Sequence, residues 1–576
     1  MEYPRVARLF TLARAGHLSR RQLLETGLRL GIASPVILSL IEAAPKSALA
    51  MPAERASLSA TSSAMHLQEE SSGTLTVLWT SGTEDIDPHY TYSELASAVA
   101  LLVYEMLLIL KGDSTDEFEP MLAESWEVSD DQSTFTFKLF PDVMFQDGTP
   151  ANAQAVKDSY TRWIELEGSP VNVITRFCDS PDKMEAVDET TLRFNLGSPQ
   201  PLFLAAMASS YGPMVISPTA LAENATDEDP YAHEWAKQFA VGSGPYILDS
   251  NSVTEGITLT RFDGYHRGWE GNHFDGVNFR AVPEDATRRQ LLERGEADAA
   301  ASNVTVDTLE ALRSNPAVQV IEYPTTAVTW DVMNAPRLLT KEVRQGFSYA
   351  FPYDDVRDVV YKGLLKRSGP IADSVRGYDP DVFLYQTDLE KAKELILSGG
   401  FKEGDVFEYM VDANEETDQT VAQLFQANVQ EMGFNLELIS VDYATIESTV
   451  YGDAPPEERP HFIGGWGWWP DYNDPWNQLW PNFTEANVGG GGSNGGAWVN
   501  PRFEEIMAEA EHFESEEQLD ELMKEAQNIL TEQDPPVIYY GQRVDFTVLG
   551  ADIQGFVPNP LYLQAYNVYG MSRASS

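Results

Sequence analysis

The stretch VFEYMVDANEETDQTVAQLFQANVQEMGFNLELISV, residues 406–441, decides the fold of this chain. Residues 406–411 are rich in β-branched and aromatic side chains, which is typical of a strand. Residues 417–432 follow a helical spacing that is expected to bury five apolar side chains, namely Val421, Leu424, Phe425, Val429 and Met432. Gly433 stands where a glycine ends a helix, and residues 435–441 give a second strand. Strand, helix and strand predict a β-α-β unit.

Strand and helix signals also alternate in the sequence on either side of this unit. Residues 133–139 and 191–196 alternate apolar and polar side chains, the pattern of half-buried strands, and predict an antiparallel pair. Just upstream of residue 406, Thr387-Asp388-Leu389-Glu390 predicts a capping box that opens a helix ended by Gly399-Gly400. The chain is therefore expected to be a mixed α/β protein with several sheets.

The N-terminal fifty residues are set apart from the folded part of the chain. Arg20-Arg21 precedes an apolar run over residues 30–41, which is about half the ~20 residues that span a bilayer. Ala48-Leu49-Ala50 then offers a cleavage site, so residues 1–50 resemble a twin-arginine (Tat) export signal. Residues 51–73, rich in Ser and Ala, are expected to be a flexible tether. These features predict an exported protein, periplasmic or extracellular at the cell surface.

Composition narrows the possible partners. The 576 residues suggest two or three domains, and the formal charge of −50 argues against binding nucleic acid or anionic lipid. The single cysteine, Cys178, excludes a disulfide and is expected to be an unpaired buried thiol. The eight histidines show no zinc-ligand spacing, and no Gly-x-Ser-x-Gly elbow is present. We therefore predict no metal, no cofactor and no catalytic residue.

Six blocks in chain order resemble the family-5 extracellular solute-binding proteins, the group of the oligopeptide- and dipeptide-binding proteins. They are residues 75–78, 85–88, 119–126, 145–150, 242–246 and 343–350. Phe351-Pro352 departs from the Ile-Asp usual at that point of the family. The resemblance implies a two-lobed, class II periplasmic-binding-protein-like α/β fold with an extra inserted domain and mixed sheets flanked by helices.

The resemblance also implies a division of the chain into domains. Residues 74–115, 213–325 and 535–576 would form a discontinuous first lobe, and residues 116–212 a domain inserted on it. Residues 326–534 would form the second lobe.

The segment Gly464-Gly465-Trp466-Gly467-Trp468-Trp469-Pro470-Asp471-Tyr472-Asn473-Asp474-Pro475 carries the candidate site. Aromatic faces attract cations and a carboxylate adds a charge-assisted hydrogen bond, so this composition suits a cationic group. The alternative from composition alone is that the tryptophans are core residues and Asp471 caps a turn.

The same segment resembles the family's W-x-x-D-x-x-x-P loop at the interlobe cleft, in which the aspartate holds the free α-amino group of a peptide. That resemblance implies Asp471 as the ammonium ligand and Trp468 as the aromatic residue beside it. Tyr472 and Asn473 fit the same pattern. Trp466 and Trp469 are additions that we include among the candidate ligand-binding residues.

The expected function is the substrate-binding component of an ABC importer. It would capture di- or oligopeptides as a monomer and deliver them to membrane permease subunits, without catalysis. An oligosaccharide or other solute stacking on the tryptophans is an alternative ligand. A secreted hydrolase that uses two acids in a tryptophan-lined cleft is a further alternative.

Overall fold

The computed structural model describes residues 73–301, 304–452, 454–490, 492–513 and 515–574. The predicted export signal and, apart from Gly73, the predicted tether lie outside the described residues. Across the described ranges, no helix is both long enough and apolar enough to cross a membrane.

Strands run through the whole described part of the chain. They are β1 (Thr74–Trp79), β2 (Leu108–Leu110), β3 (Phe118–Pro120), β4 (Ala123–Val128), β5 (Thr134–Leu139), β6 (Met184–Asp188), β7 (Thr191–Asn195), β8 (Tyr246–Ser252), β9 (Gly256–Arg261), β10 (Gly276–Ala281), β11 (Ala299–Ala300), β12 (Val318–Met333), β13 (Leu365–Lys366), β14 (Val406–Asp412), β15 (Asn435–Val441), β16 (Phe462–Trp468), β17 (Val537–Gly550), β18 (Ile553–Gln554) and β19 (Ser572–Arg573).

Helices flank these strands. They are α1 (Glu94–Val103), α2 (Ala153–Leu166), α3 (Asn172–Thr175), α4 (Phe203–Ala206), α5 (Pro218–Asn224), α6 (His233–Ala236), α7 (Asp285–Glu293), α8 (Val306–Arg313), α9 (Ala335–Leu338), α10 (Lys341–Ala350), α11 (Tyr353–Asp355), α12 (Leu389–Ser398), α13 (Glu416–Glu431), α14 (Tyr443–Tyr451), α15 (Pro475–Phe483), α16 (Pro501–Ala510) and α17 (Glu516–Asn528).

One mixed sheet joins most of the strands, in the order β15-β14-β16-β12-β17-β11-β1-β10-β9-β8. Its two middle strands, β12 and β17, are much longer than the others and pair antiparallel from Val318 opposite Gly550 to Val332 opposite Val537. One end of this pair meets β11, and the other end meets β16. The register shifts between Pro324 and Val328, so the ladder is interrupted where the chain passes from one half of the sheet to the other.

The β-α-β unit predicted from residues 406–441 is confirmed. β14 and β15 pair in parallel, and α13 connects them and ends before Gly433, whose φ is +91°. The helix begins and ends one residue earlier than predicted. Of the five side chains expected in the core, four are buried, whereas Leu424 is only half-buried.

The antiparallel pair predicted from the alternating runs is also confirmed. β5 and β7 lie side by side in a four-stranded sheet of order β4-β5-β7-β6. This sheet lies within residues 116–212, the range predicted for the inserted domain. The domain boundaries themselves stay predictions.

Two local expectations have different outcomes. Cys178 is a free, buried thiol as predicted, and burial raises its pKa to about 11. The capping box is wrong by one residue, because Asp388 rather than Thr387 caps α12 by accepting from the backbone N–H of Lys391 at 3.0 Å. The Thr387 hydroxyl instead donates to the carbonyl of Phe351.

Candidate ligand-binding site

The candidate site lies in the loop between β16 and α15. β16 is fixed by antiparallel pairing with β12, with Trp468 opposite Val328. At the other end of the loop, the Asp474 side chain caps α15 by accepting from the backbone N–H of Trp476 at 3.0 Å. Both ends are therefore anchored, which gives residues 469–473 a defined position.

Asp471 is held from one side only. Its backbone N–H donates to Asn477 Oδ1 at 2.7 Å. Its carboxylate oxygen Oδ2 accepts from Asn477 Nδ2 at 3.3 Å and from the Tyr92 hydroxyl at 3.4 Å. Among the described residues, none donates a hydrogen bond to Oδ1. One oxygen is thus positioned by the protein, and the other is available to a ligand.

No cation of the described residues forms an ion pair with this carboxylate. Burial raises the pKa of Asp471 to about 6, and the hydrogen bonds from Asn477 and Tyr92 only partly oppose that effect. A buried carboxylate is normally paired, because desolvating a lone charge is costly. A positively charged group of a ligand would therefore stabilise the ionised Asp471 carboxylate.

Two tyrosines from the other half of the molecule meet the Asp471 loop. Tyr92 immediately precedes the cap of α1, and Tyr211 lies 4.9 Å from it between ring centroids. A hydrogen bond from Trp469 acts to lower the pKa of Tyr211, although burial and the nearby carboxylates raise that pKa overall. Trp469 and Asp471 thus face an aromatic pair contributed by residues outside 326–534.

Two tyrosines near these residues are partly exposed and yet desolvated. Tyr92 keeps 40% of its surface exposed, yet the surrounding protein desolvates its phenol and raises the pKa well above its usual value. Tyr443 is 50% exposed and is also desolvated, and the carboxylate of Glu94 contributes to raising its pKa. Exposure combined with desolvation indicates side chains that line an internal cleft between the two halves.

The charges along this cleft are mostly negative. Glu94, two residues after Tyr92, is half-buried, and desolvation and the nearby Asp545 raise its pKa. Asp418 on α13 has its pKa raised to about 7, chiefly by burial. Arg543 on β17 lies near both carboxylates but already donates to Asp545 at 2.9 Å.

The remaining tryptophans take different positions. Trp466 is 4% exposed and packs edge-on against Tyr451 at 5.5 Å, which leaves it little surface to offer a ligand. Trp468 is half-buried and its indole N–H donates to the carbonyl of Asn477 at 3.1 Å. Trp468 thereby stabilises the same residue that positions Asp471.

Tyr472 and Asn473 connect parts of the molecule that are distant in sequence. The Tyr472 hydroxyl accepts from Arg176 at 2.8 Å, and Arg176 also pairs with Asp474 at 2.5 Å. Asn473 Nδ2 donates to the Thr115 hydroxyl at 3.0 Å. These two residues are buried and serve these contacts, and their contact with a ligand stays a prediction.

Sequence reasoning missed Tyr92, Tyr211, Glu94 and Arg543. The run Tyr90-Thr91-Tyr92-Ser93 was a usable signal, because two aromatic residues lie between a family-like Asp-Pro turn and a helix cap. Arg543 carried no local signal, since its role depends on β17 crossing from one half of the sheet to the other.

Comparison with known proteins shows what kind of protein carries this cleft. Residues 117–490 match the family model described as "Bacterial extracellular solute-binding proteins, family 5 Middle". The chain belongs to this family. Family-5 proteins that resemble it include a probable D,D-dipeptide-binding periplasmic protein of Escherichia coli K12, which is 29% identical over 85% of this chain and 92% of that protein.

Other family-5 relatives differ in the solute that they bind. Heme-binding protein A of Haemophilus influenzae is 27% identical over 82% of this chain and 86% of its own. A dipeptide-binding protein of Pseudoalteromonas sp. SM9913, solved in complex with Met-Leu, superposes with a TM-score of 0.75 at 20% identity. That match covers 87% of this chain and 100% of the other.

Membership of family 5 settles the general role and confirms the predicted fold. The chain has the two-lobed class II periplasmic-binding-protein fold and is the solute-binding component of an ABC importer. Both relatives are named as binding proteins rather than enzymes, and the Escherichia coli relative is a periplasmic protein. Their ligands range from dipeptides to heme, so the family alone does not name the solute.

Proposed function

We propose that this family-5 protein is exported by the Tat route as a monomer and captures peptides. The peptide lies in the cleft between the lobes, and its free α-amino group binds Asp471 Oδ1. The closed complex then delivers the peptide to the membrane permease subunits. The observation that carries the proposal is the half-buried, desolvated Asp471 carboxylate, one oxygen of which accepts no hydrogen bond from the described part of the chain, which also supplies no cation partner.

The environment of Asp471 supports an ammonium group in particular. Tyr92 and Tyr211 offer aromatic faces beside the carboxylate, and such faces attract cations. An ammonium–carboxylate hydrogen bond in a desolvated site is stronger than a neutral one. An oligosaccharide lacks a positive charge and would leave Asp471 unpaired, so the site favours the peptide over the sugar.

Closure of the cleft also involves Asp471. The Tyr92 hydroxyl and the Asp471 carboxylate come from opposite sides of the cleft and meet at 3.4 Å. A ligand bound at Oδ1 would therefore be covered by groups from both lobes. Hinge closure around a ligand is the usual motion of binding proteins of this architecture.

Calorimetric titration of matched ligands tests the proposal. The ligands are Ala-Phe, N-acetyl-Ala-Phe and maltotriose, and the proteins are the wild type, Asp471→Asn and, as a control, Asp381→Asn at an exposed position. We expect Asp471→Asn to weaken Ala-Phe by about 10- to 100-fold, since charged hydrogen bonds contribute about 1.5–3 kcal/mol. We expect N-acetyl-Ala-Phe to bind weakly to all three proteins.

Two outcomes would contradict the proposal. Equal losses for the free and acetylated peptides in Asp471→Asn would reject the ammonium contact. Binding of maltotriose with no binding of either peptide would favour the oligosaccharide alternative.

A further inference from the structure

A second group of carboxylates lies at the start of α13, near Arg543. Asp412 ends β14, Glu415 precedes α13, and Asp418 lies in the first turn of that helix. We refer to Asp412, Glu415 and Asp418 as the acidic wall. Within the described residues, the Asp418 carboxylate has no hydrogen-bond donor and no ion-pair partner.

The acidic wall differs from the usual acidic first turn of a helix. Such residues normally lie in solvent, where the helix dipole favours their negative charge. Asp418 is instead half-buried, and its pKa rises to about 7 through desolvation and through repulsion from Glu415 and Asp412. Glu416 in the same turn is exposed, as acidic residues at the start of a helix usually are.

A buried, half-satisfied carboxylate lies directly beside the wall. Asp331 is fully buried, and its Oδ1 accepts from the Tyr409 hydroxyl at 2.8 Å, from the Tyr540 hydroxyl and from the backbone N–H of Gly465 at 3.3 Å. Its second oxygen, Oδ2, has no hydrogen-bond partner. Asp331 is thus oriented toward Gly465 and carries an acceptor that no described protein group satisfies.

Gly465 brings Asp331 and Asp418 together. A Cβ atom at this position would lie 2.1 Å from Asp418 Oδ2, so the carboxylate rests against the glycine itself. The φ of +69° at Gly465 is one that glycine adopts without strain. Two carboxyl groups therefore converge on one backbone position, which is a costly arrangement without a cation.

Of the cations in the described residues, one acts on the acidic wall. In the described part of the chain, Arg543 is the positive group that acts on Asp418, Glu415 and Glu94. Its guanidinium already donates to Asp545, which is itself almost fully buried. The acidic wall therefore keeps a net negative charge.

Aromatic rings complete the environment of the wall. Tyr361 is close enough to Asp418 and Glu415 for both carboxylates to raise its pKa, and Tyr443 is influenced in the same way by Asp412. Phenol rings beside carboxylates form a surface that suits an ammonium or guanidinium group. The ring of Tyr443 is half-exposed, and Glu94, two residues after Tyr92, is close enough to raise its pKa as well.

We propose that the acidic wall is a second cation-binding subsite, so that the preferred ligand carries two positive groups. This inference rests on the proposed function and names its substrate class. One cation binds Asp471, and the other binds Asp418. Asp471 follows Gly465 by six positions, so their Cα atoms lie at most about 22 Å apart. A short peptide with a lysine or arginine side chain spans that range, and so does a linear polyamine.

Matched tripeptides test the subsite by calorimetry at pH 8 and low salt. Ala-Lys-Ala and Ala-norleucine-Ala are similar in length and apolar stem, but only the first has a second cation. We expect the wild type to bind the lysine peptide at least tenfold more tightly. In Asp418→Asn, and to a smaller extent in Glu415→Gln, this ratio should fall toward one.

The control variant is Glu416→Gln, which removes the same charge from an exposed position of the same turn. It should keep the tenfold ratio, because a general loss of negative charge would affect all three variants alike. Glu415 is exposed, so Glu415→Gln keeps the test decisive if Asp418→Asn does not fold. Spermidine competition in the wild type and the variants distinguishes a polyamine from a basic peptide as the source of the two cations.

The outcomes separate this inference from the proposed function. Equal affinity of the wild type for both tripeptides would overturn the subsite and leave the peptide-binding function standing. A lysine preference that survives in both Asp418→Asn and Glu415→Gln would also overturn it. Absence of binding by any peptide or amine would overturn the proposed function itself.

Discussion

Asp471 and Asp474 lie three residues apart in one loop, and the protein treats them in opposite ways. Asp474 is fully buried and pairs with Arg176 at 2.5 Å, while Arg176 also lies over the Trp476 ring at 3.9 Å. Within the described ranges, Asp471 has Asn477 and Tyr92 as donors but no cation partner. One carboxylate thus holds two parts of the molecule together, whereas the other keeps an oxygen without a hydrogen bond from the described residues, as the proposed ammonium contact requires.

Among these substitutions, Asp474→Asn is expected to lower the stability of the protein most. Asparagine can still cap α15, but the buried Arg176 loses its counter-charge, and breaking such a pair costs about 3–5 kcal/mol. The pair joins residue 176 of the predicted insert to the predicted second lobe, so the closed form is the state that is destabilised. We expect a larger radius of gyration by small-angle X-ray scattering and a lower unfolding temperature.

An exposed pair provides the control for that variant. Asp358→Asn disrupts the surface contact with Arg357, and surface pairs contribute little to stability. Its scattering curve should match that of the wild type. If Asp474→Asn also matched the wild type, the contrast between the two loop aspartates would be lost.

In the ligand-free protein, Asp471→Asn should raise the free energy of unfolding, whereas Asp474→Asn should lower it. The pKa of Asp471 is about 6 when folded, against about 3.9 in an unfolded chain. Above pH 6 its ionised, unpaired form therefore lowers the free energy of unfolding, by up to about 3 kcal/mol. As the pH falls through 6, the folded protein takes up a proton, and by about pH 4 this cost has disappeared.

Urea unfolding of the ligand-free wild type and Asp471→Asn at several pH values checks this expectation. The variant should be the more stable protein at pH 8, and the two curves should converge near pH 4. Wild-type stability equal to or above that of the variant at pH 8 would mean that Asp471 already has a compensating partner.

Tyr472→Phe should have an intermediate effect. The Tyr472 hydroxyl accepts from Arg176 at 2.8 Å, and losing a hydrogen bond to a charged group costs about 1.5–3 kcal/mol. We expect a fall in unfolding temperature that is smaller than in Asp474→Asn. Double-mutant analysis of the two substitutions should show strong coupling, since both act on the same guanidinium. Additive effects would contradict the shared contact.

Tyr92→Phe should have the smallest effect on stability. Its hydrogen bond to Asp471 is long, at 3.4 Å, and its removal costs about 0.5–1.5 kcal/mol at most. The ring remains, so cation binding should be largely retained, while Tyr92→Ala should weaken it clearly. Equal affinity of Tyr92→Phe and Tyr92→Ala for Ala-Phe would show that the aromatic ring does not contribute to binding.

The sequence allowed the local elements to be predicted, and the family resemblance located the loop. The β-α-β unit followed from apolar spacing, because such spacing reports directly on which face of an element is buried. The difference between Asp471 and Asp474 could not be predicted, since both are aspartates beside aromatic residues. Their difference depends on Arg176, almost three hundred residues earlier, which reaches only one of them.

The arrangement of the acidic wall could not be predicted from the sequence either. Asp418 reads in the sequence as an ordinary acidic residue near a helix start, and Gly465 as part of a glycine-rich strand. Their contact arises from the sheet order, which places β16 next to β14. Long-range arrangements of this kind carry no local pattern that one sequence reveals.

The interrupted ladder between β12 and β17 offers a built-in reporter of occupancy. Near the interruption, the amide of Thr326 donates to the carbonyl of Pro560, and the amide of Ala327 donates to the Thr325 hydroxyl. A swing of one lobe against the other would strain these few bonds before any others in the sheet. Deuterium uptake at these amides should therefore slow when a solute arrives, which allows transport ligands to be screened without a label or a permease.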